Sequence, residues 1–321
     1  MKIKNMILAA IVSTFSISNA YSAITLKAGH SASESEPYHI GLLAFAEAVK
    51  EKTNGEIEVE IYPNNQLGTE KEMIEGISFG TLDITVPTNG VLTNFVPELA
   101  VLDLPFLFKD RNHLYTAMDG EAGAKLTESM EKNGFVKLAF YEAGIRHIMT
   151  TDKPINSIDD LSGLKIRTMP IPAHISSFNE FGANASPLAY AELYGALEAG
   201  VVDGAEAANT NYYAKNFYEV APYWAQVSWT TLVADLIMSK QKFASLSPEH
   251  QKAIMEAAAE SASIERKAYS DMDESLLTNI KAAGVTVTYP DAAPFREASI
   301  SVYDEFVTSD AQKEVLSLIL N

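Results

Sequence analysis

The sequence predicts two α/β domains joined by short hinge strands. Three observations carry this: the length, the repeated switching of apolar period between strand and helix, and one helical pattern too long for a single domain. The 321 residues, 35.0 kDa, divide into roughly two domains at ~150 residues each. Hydrophobic residues make up 47% and charged residues 21%, which is globular composition.

Residues 1–22 stand apart. Lys2 and Lys4 precede an apolar run from Met6 to Ile17, and small residues at Ser18 and Ala20 close it. The run is too short to span a bilayer, which needs ~20 apolar residues, and its layout is that of a cleaved secretory signal. Cleavage after Ala20 or Ser22 takes the net charge from -18 to -20. No later stretch reaches transmembrane length, so the mature chain is expected to be a periplasmic resident without direct membrane insertion.

Ile24 to Ala28 reads as a short apolar strand running into a polar loop, Gly29 to Pro37, rich in Ser and Glu. From Tyr38 to Lys52 apolar residues recur at helical spacing, and Gly55 marks the stop. Glu56 to Tyr62 then alternates, with Ile57, Val59 and Ile61 on one face, as a half-exposed strand does. A helix near Thr69 to Phe79 leads through Gly80 into a strand at Leu82 to Val86, and this alternation predicts a largely parallel sheet. The second series has strands at Phe135 to Phe140, Arg146 to Thr150 and Leu164 to Thr168, with helices near Ala173 to Phe181 and Ala191 to Ala199. Pro248 to Ala283, capped by Ser247 and followed by Gly284, is the longest helical pattern; unbroken it spans ~54 Å at 1.5 Å per residue, so it bridges both domains or kinks. The expected division is 23–144 plus about 232–272 for the first domain and 145–231 plus about 273–321 for the second.

The composition excludes several functions. An excess of 42 acidic over 24 basic residues opposes binding to nucleic acid or anionic membrane. With no Cys there are no disulfides, thiolate metal sites or Cys nucleophiles. Phosphate-binding glycine motifs, HExxH and GxSxG are absent, and the six histidines never fall at i, i+3 or i, i+4 spacing. No enzymatic activity, cofactor or metal site is therefore expected. Asp159-Asp160 sits in a turn sequence, where solvent exposure explains it.

Arginine is the informative residue type. Only five of the 24 basic residues are Arg, and two of them, Arg146 and Arg167, lie on apolar strand-like stretches near strand ends, where open α/β sheets place their ligand crevices. Arg offers a planar fork that grips a carboxylate bidentately. At ~4 Å and an effective dielectric near 20, one such contact is worth ~4 kcal/mol of gross attraction. Distant acids are screened beyond ~8 Å. The alternative is that each Arg pairs with a local Asp or Glu. Both tryptophans and several tyrosines, with Asn209 and Asn211, crowd the stretch from Asn209 to Trp229. Amides beside rings suit a pocket that bonds hydroxyls and packs apolar carbon faces, and Asn211 and Trp229 are the candidates there.

Several segments together resemble a known family: Gly163-Leu-Lys-Ile-Arg167, Gly182 to Pro187, Ala191-Glu-Leu-Tyr194, Ala196 to Glu206 and Phe217-Tyr-Glu-Val220, with Ile61 to Gly68 and Leu104-Pro-Phe106 in the first half. In this order they are similar to DctP-type solute-binding proteins of tripartite ATP-independent periplasmic (TRAP) transporters. The resemblance covers nearly the whole mature chain. It implies a receptor whose two domains close on a small organic acid and whose partners are the TRAP membrane permease subunits; the chain is expected to be a monomer. It also implies that Arg167 salt-bridges the ligand carboxylate, aided by Arg146. His30, Glu70, Thr88 or Asn89, Tyr190 and Glu206 complete the expected site.

One departure stands out: the Asn that sugar-acid binders of the family place after Asp-Gly-x-Glu is here Ala207, followed by Ala208. Either Asn209 or Asn211 replaces it, or the ligand carries fewer hydroxyls. Trp229, where sialate binders can have a polar residue, favours a flatter ligand. Sugar acids such as uronates or aldonates are the favoured class, and aromatic or short-chain carboxylates the alternative. A secreted hydrolase using Asp203 and Glu206 on acidic carbohydrate, and a sensor subunit, are the remaining readings.

Overall fold

The computed structural model describes residues 23–321. The expected signal, 1–22, lies outside the described residues.

Among the described residues nine strands form one sheet: β1 (Ile24–Gly29), β2 (Ile57–Tyr62), β3 (Ile84–Thr85), β4 (Phe135–Thr150), β5 (Lys165–Thr168), β6 (Asn184–Pro187), β7 (Gly204–Ala207), β8 (Tyr223–Ser239) and β9 (Thr286–Thr288). Their order is β2-β1-β3-β8-β4-β7-β5-β6, with β9 on β8. The first lobe gathers at one end, where β1 pairs in parallel with β2 and β3, and β3 meets the far end of β8 at Ile84 and Met238. The second gathers at the other, where β7 pairs with β4 over His147–Thr150 and in parallel with β5. The hinge is therefore the antiparallel pair β4 and β8, which runs through both lobes.

Phe135–Phe140 and Arg146–Thr150, expected as separate strands, are the two halves of β4. Gly144 makes this continuity possible. It has φ +85° at a register shift between Glu142 and Gly144, and a Cβ there would sit 2.5 Å from Ala208 Cβ and 2.7 Å from Tyr269 Cε1. Only glycine fits that close approach in the left-handed region.

The helix Pro37–Lys52 buries Leu42, Phe45 and Val49 against the first-lobe strands. The helix Glu70–Phe79 begins with a capping box in which Thr69 and Glu72 satisfy each other's backbone N–H groups. The long helix runs 35 residues, Pro248–Ala282, with Ser247 Oγ accepting from His250 N at 3.2 Å. Its Ala257 and Ala258 join the first-lobe core, and its Ile280 packs with Tyr212 and Trp224 in the second, so it does cross both.

The C-terminal segment divides between the two lobes. Residues beyond 273 were expected in the second domain, and Phe295 does pack with Phe178 and Trp229. Val302, Val315 and Ile319, however, pack with Leu99 and Leu126 of the first lobe, and Gln312 Nε2 donates to Pro97 O at 3.2 Å. Amphipathic spacing shows that a helix has an apolar face, not which apolar surface receives it.

Candidate functional site

The cleft lies where the ends of β1, β3, β5 and β7 face each other across the hinge. Its two adjoining parts open to solvent, span about 410 and 580 Å³ including that open space, and share Glu70, Met169 and Tyr190.

The second lobe supplies the donors. Arg146, on β4, gives Nε to Glu206 Oε2 at 2.6 Å and Nη1 to Asn211 Oδ1 at 2.8 Å and Ala143 O at 3.2 Å. Its pKa is raised: burial works against the charge, and the Glu206 carboxylate outweighs burial. Arg167, on β5, is 1% exposed and gives Nε and Nη2 to Leu188 O at 3.0 and 2.7 Å. Its Nη1 is buried without a hydrogen-bond partner, 3.6 Å from Glu206 Oε1. Burial, helped by the neighbouring Arg146 charge and opposed by Glu206, lowers its pKa to about 10, so it stays cationic at neutral pH. Glu206, on β7, lies between the two guanidinium groups. Burial pushes its pKa up, but Arg146 and its hydrogen bond hold the carboxyl below the usual range. Two cations and one anion leave one net positive charge on this wall, and the unused donor belongs to Arg167.

The first lobe supplies acceptors. Glu70, in the first turn of its helix, accepts from Ser31 Oγ at 2.7 Å, Thr88 N at 3.0 Å and Thr88 Oγ1 at 3.3 Å. Its pKa is raised by burial, with those hydrogen bonds opposing the shift. Glu36, at the N-cap of the first helix, accepts from Ser33 N at 2.6 Å and, across the cleft, from Asn211 Nδ2 at 2.5 Å. A second bridge between the lobes runs from Lys215 Nζ to Asn64 Oδ1 at 2.9 Å.

Of the expected residues, Arg146, Glu70, Thr88, Tyr190 and Asn211 line the first part of the cleft, and Arg167 lines the second. Glu206 sits behind them. It thus lines neither part of the cleft, against expectation, and three further expectations fail. His30 is fully buried with Nε2 3.1 Å from His39 Nδ1, and it is the next residue, Ser31, that reaches the cleft, because β1 ends in extended backbone and alternate side chains face opposite ways. Asn89 is buried and donates to Asp103 Oδ1 at 2.9 Å and Leu99 O at 3.1 Å, so it anchors a loop. Trp229 is fully buried among His174, Phe178 and Phe181 and sets no ligand shape.

Of the two asparagines near the missing amide, Asn211 lines the cleft and Asn209 does not. Asn209 accepts from Trp224 Nε1 at 2.8 Å and Gln226 Nε2 at 3.0 Å, inside the second-lobe core. The acid pair Asp203 and Glu206 is also separately engaged: Asp203 Oδ2 accepts from Lys165 N at 2.8 Å, while Glu206 holds Arg146. Glu36, Tyr38 and Tyr269 line the cleft without having been singled out from the sequence. Glu36 had a readable signal, since it lies in the polar loop after the first strand. Tyr269 had none, because only the path of the long helix brings it there.

Residues 28–310 match the DctP family, described as bacterial extracellular solute-binding protein, family 7. The chain belongs to this family. Among its relatives is the 2,3-diketo-L-gulonate-binding periplasmic protein YiaO of Escherichia coli (strain K12), 32% identical over 291 residues, which cover 90% of this chain and 89% of the relative. A TRAP periplasmic solute-binding protein from Sulfitobacter sp. NAS-14.1 with bound β-D-galacturonate superposes with a TM-score of 0.89 at 33% identity, over 92% of this chain and 99% of that one. The sugar acid-binding protein DctPAm of Advenella mimigardefordensis in complex with galactonate gives 0.89 at 29% identity, over 93% and 98%. No helix among the described residues of this family member is long and apolar enough to cross a membrane.

Proposed function

We propose that this chain is the exported receptor of a TRAP transporter, capturing a sugar acid by closure of its two lobes and delivering it to the membrane permease. The observation that carries this reading is the buried, unpartnered Nη1 of Arg167 at the cleft. A buried charged donor without a partner is costly, and a ligand carboxylate supplies the charge-assisted bond it lacks. Arg146, fully engaged by Glu206 and Asn211, is a positioning residue that stabilises the same charge at longer range.

The rest of the cleft suits hydroxyls. Ser31, Tyr38, Glu36, Glu70, Thr88 and Asn211 surround it, and an aromatic or short-chain acid would leave their remaining hydrogen-bonding capacity unused. The bound uronate and aldonate of the two structural relatives are ligands of this class. Closure around the β4–β8 hinge brings the Arg wall and the Glu wall together. The leading segment 1–22 accounts for export to the periplasm. The fold's role is binding, and the ligand leaves chemically unchanged.

Thermal unfolding of the mature protein in the presence of organic acids tests the reading. A ligand at 100 times its Kd adds about 2.7 kcal/mol of stability. Uronates or aldonates are expected to raise the Tm while their neutral amides do not. A panel of sugar acids that leaves the Tm unmoved defeats the proposal.

A further inference from the structure

We infer that Glu36 is a specificity determinant: with Glu70 it admits a sugar acid carrying one carboxylate and rejects the diacid of the same carbon chain. This rests on the sugar-acid reading above and adds to it the charge of the ligand's far end.

With the ligand carboxylate on Arg167, the chain leads past Glu70, Met169 and Tyr190, which both parts of the cleft share, towards Glu36 and Asn211. At that end Arg146 is the cation that lines the cleft. Its charge is taken by Glu206 at 2.6 Å. Lys215 lines neither part of the cleft: it donates to the neutral Asn64 amide at 2.9 Å, lies over the Tyr190 ring, 5.6 Å from its centroid, and the charge it feels nearby is that of Glu36 itself. Glu36 is 1% exposed, and among the described residues every hydrogen bond reaching it comes from a neutral donor: Ser33 N, Ser33 Oγ and Asn211 Nδ2. The same is true of Glu70, bonded by Ser31 and Thr88.

A carboxylate held by neutral donors can still accept from a hydroxyl. It cannot accept from a second carboxylate, which has no proton to give and repels it. Each such like-charge contact in a partly desolvated site is expected to weaken binding about tenfold or more. The two walls therefore read opposite ends of one molecule, the arginines its single acid group and the glutamates its hydroxyls.

Calorimetric titration of the full mature protein with D-galacturonate, D-galactonate and galactarate tests this. Galactonate and galactarate differ only at the terminal carbon, CH2OH against carboxylate. The wild type is expected to bind one or both monoacids at least about tenfold more tightly than galactarate. Glu36→Gln, and more so Glu36→Gln with Glu70→Gln, should shrink that ratio, whereas Glu36→Asp, which keeps the charge, should preserve it. Galactarate binding to the wild type as tightly as the monoacids overturns the inference without any variant. A ratio unchanged in folded Glu36→Gln and double-variant protein overturns the role of these carboxylates. If the wild type binds a monoacid, the function above stands even when the inference falls; if it binds none of the three, the inference falls and the thermal panel of sugar acids decides the function.

Discussion

The two walls of the cleft are built on opposite electrostatic plans. The second-lobe wall holds two arginines and one glutamate, cross-linked into a buried cluster with one guanidinium nitrogen left over. The first-lobe wall holds two glutamates bonded only to neutral donors among the described residues. A cationic wall needs an anion between its charges, because two buried guanidinium groups without Glu206 would repel each other in low dielectric. An anionic wall made of separated carboxylates can be held by backbone and hydroxyl donors alone. On the proposed reading, affinity for the acid group comes from one lobe and discrimination among hydroxylated chains from the other.

The largest way to break the contrast is Glu206→Ala. It strands Arg146 and Arg167 as unpaired buried charges and is expected to cost about 3–5 kcal/mol of stability, read as a lowered Tm without ligand. Arg167→Ala should leave the fold intact and cost about 2–5 kcal/mol of ligand affinity, at least ~30-fold, by calorimetry. Normal binding by a folded Arg167→Ala protein would show that the spare donor is not the ligand's contact. Gly144→Ala, at the point where β4 passes from one wall to the other, places a Cβ 2.5 Å from Ala208 Cβ at φ +85° and is expected to cost about 1–3 kcal/mol in denaturant unfolding.

A smaller effect, per pH unit, comes from His174, which lies behind the Arg wall, 4.7 Å from the Trp229 ring centroid. Burial, with the two arginines adding to it and Glu206 opposing, lowers its pKa from 6.5 to about 3. The unfolded chain binds its proton below pH 6.5 and the folded chain does not, so this group costs stability as pH falls from 6.5 towards 3, by up to about 1.4 kcal/mol per unit. Above 6.5 it contributes no slope. His174→Phe should flatten the Tm-versus-pH curve in that window relative to the parent, and an unchanged curve would mean that His174 is protonated in the fold.

Much of this molecule was readable along the chain. The capping residues Thr69 and Ser247, the alternation of Ile57, Val59 and Ile61, and the apolar spacing before Lys52 are local features, and the observed elements follow them. Arg146 and Arg167 stood out because charged residues on apolar strands are rare without a reason. Ser31 was missed in favour of His30 by one residue, which in an extended strand end means the opposite face. Trp229 and Asn209 were in the right stretch but face inward, a distinction composition does not hold. β7, which carries Glu206, is four residues of Gly204–Ala207 too short to show a period.

What the sequence determined alone is what depends on neighbours a few residues away: helix and strand periods, caps, the polar loop after β1, the excess of acid and the absence of Cys. The tertiary structure decided which arginine keeps a free nitrogen, that Asn211 and not Asn209 faces the cleft, that Glu36 meets it from the other lobe, and that the last helix returns to the first lobe. Glu36 and Asn211 are 175 positions apart and meet at 2.5 Å. Such contacts follow from how β4, β8 and the long helix set the lobes, and side-chain direction at long range is fixed by packing, which no local pattern encodes.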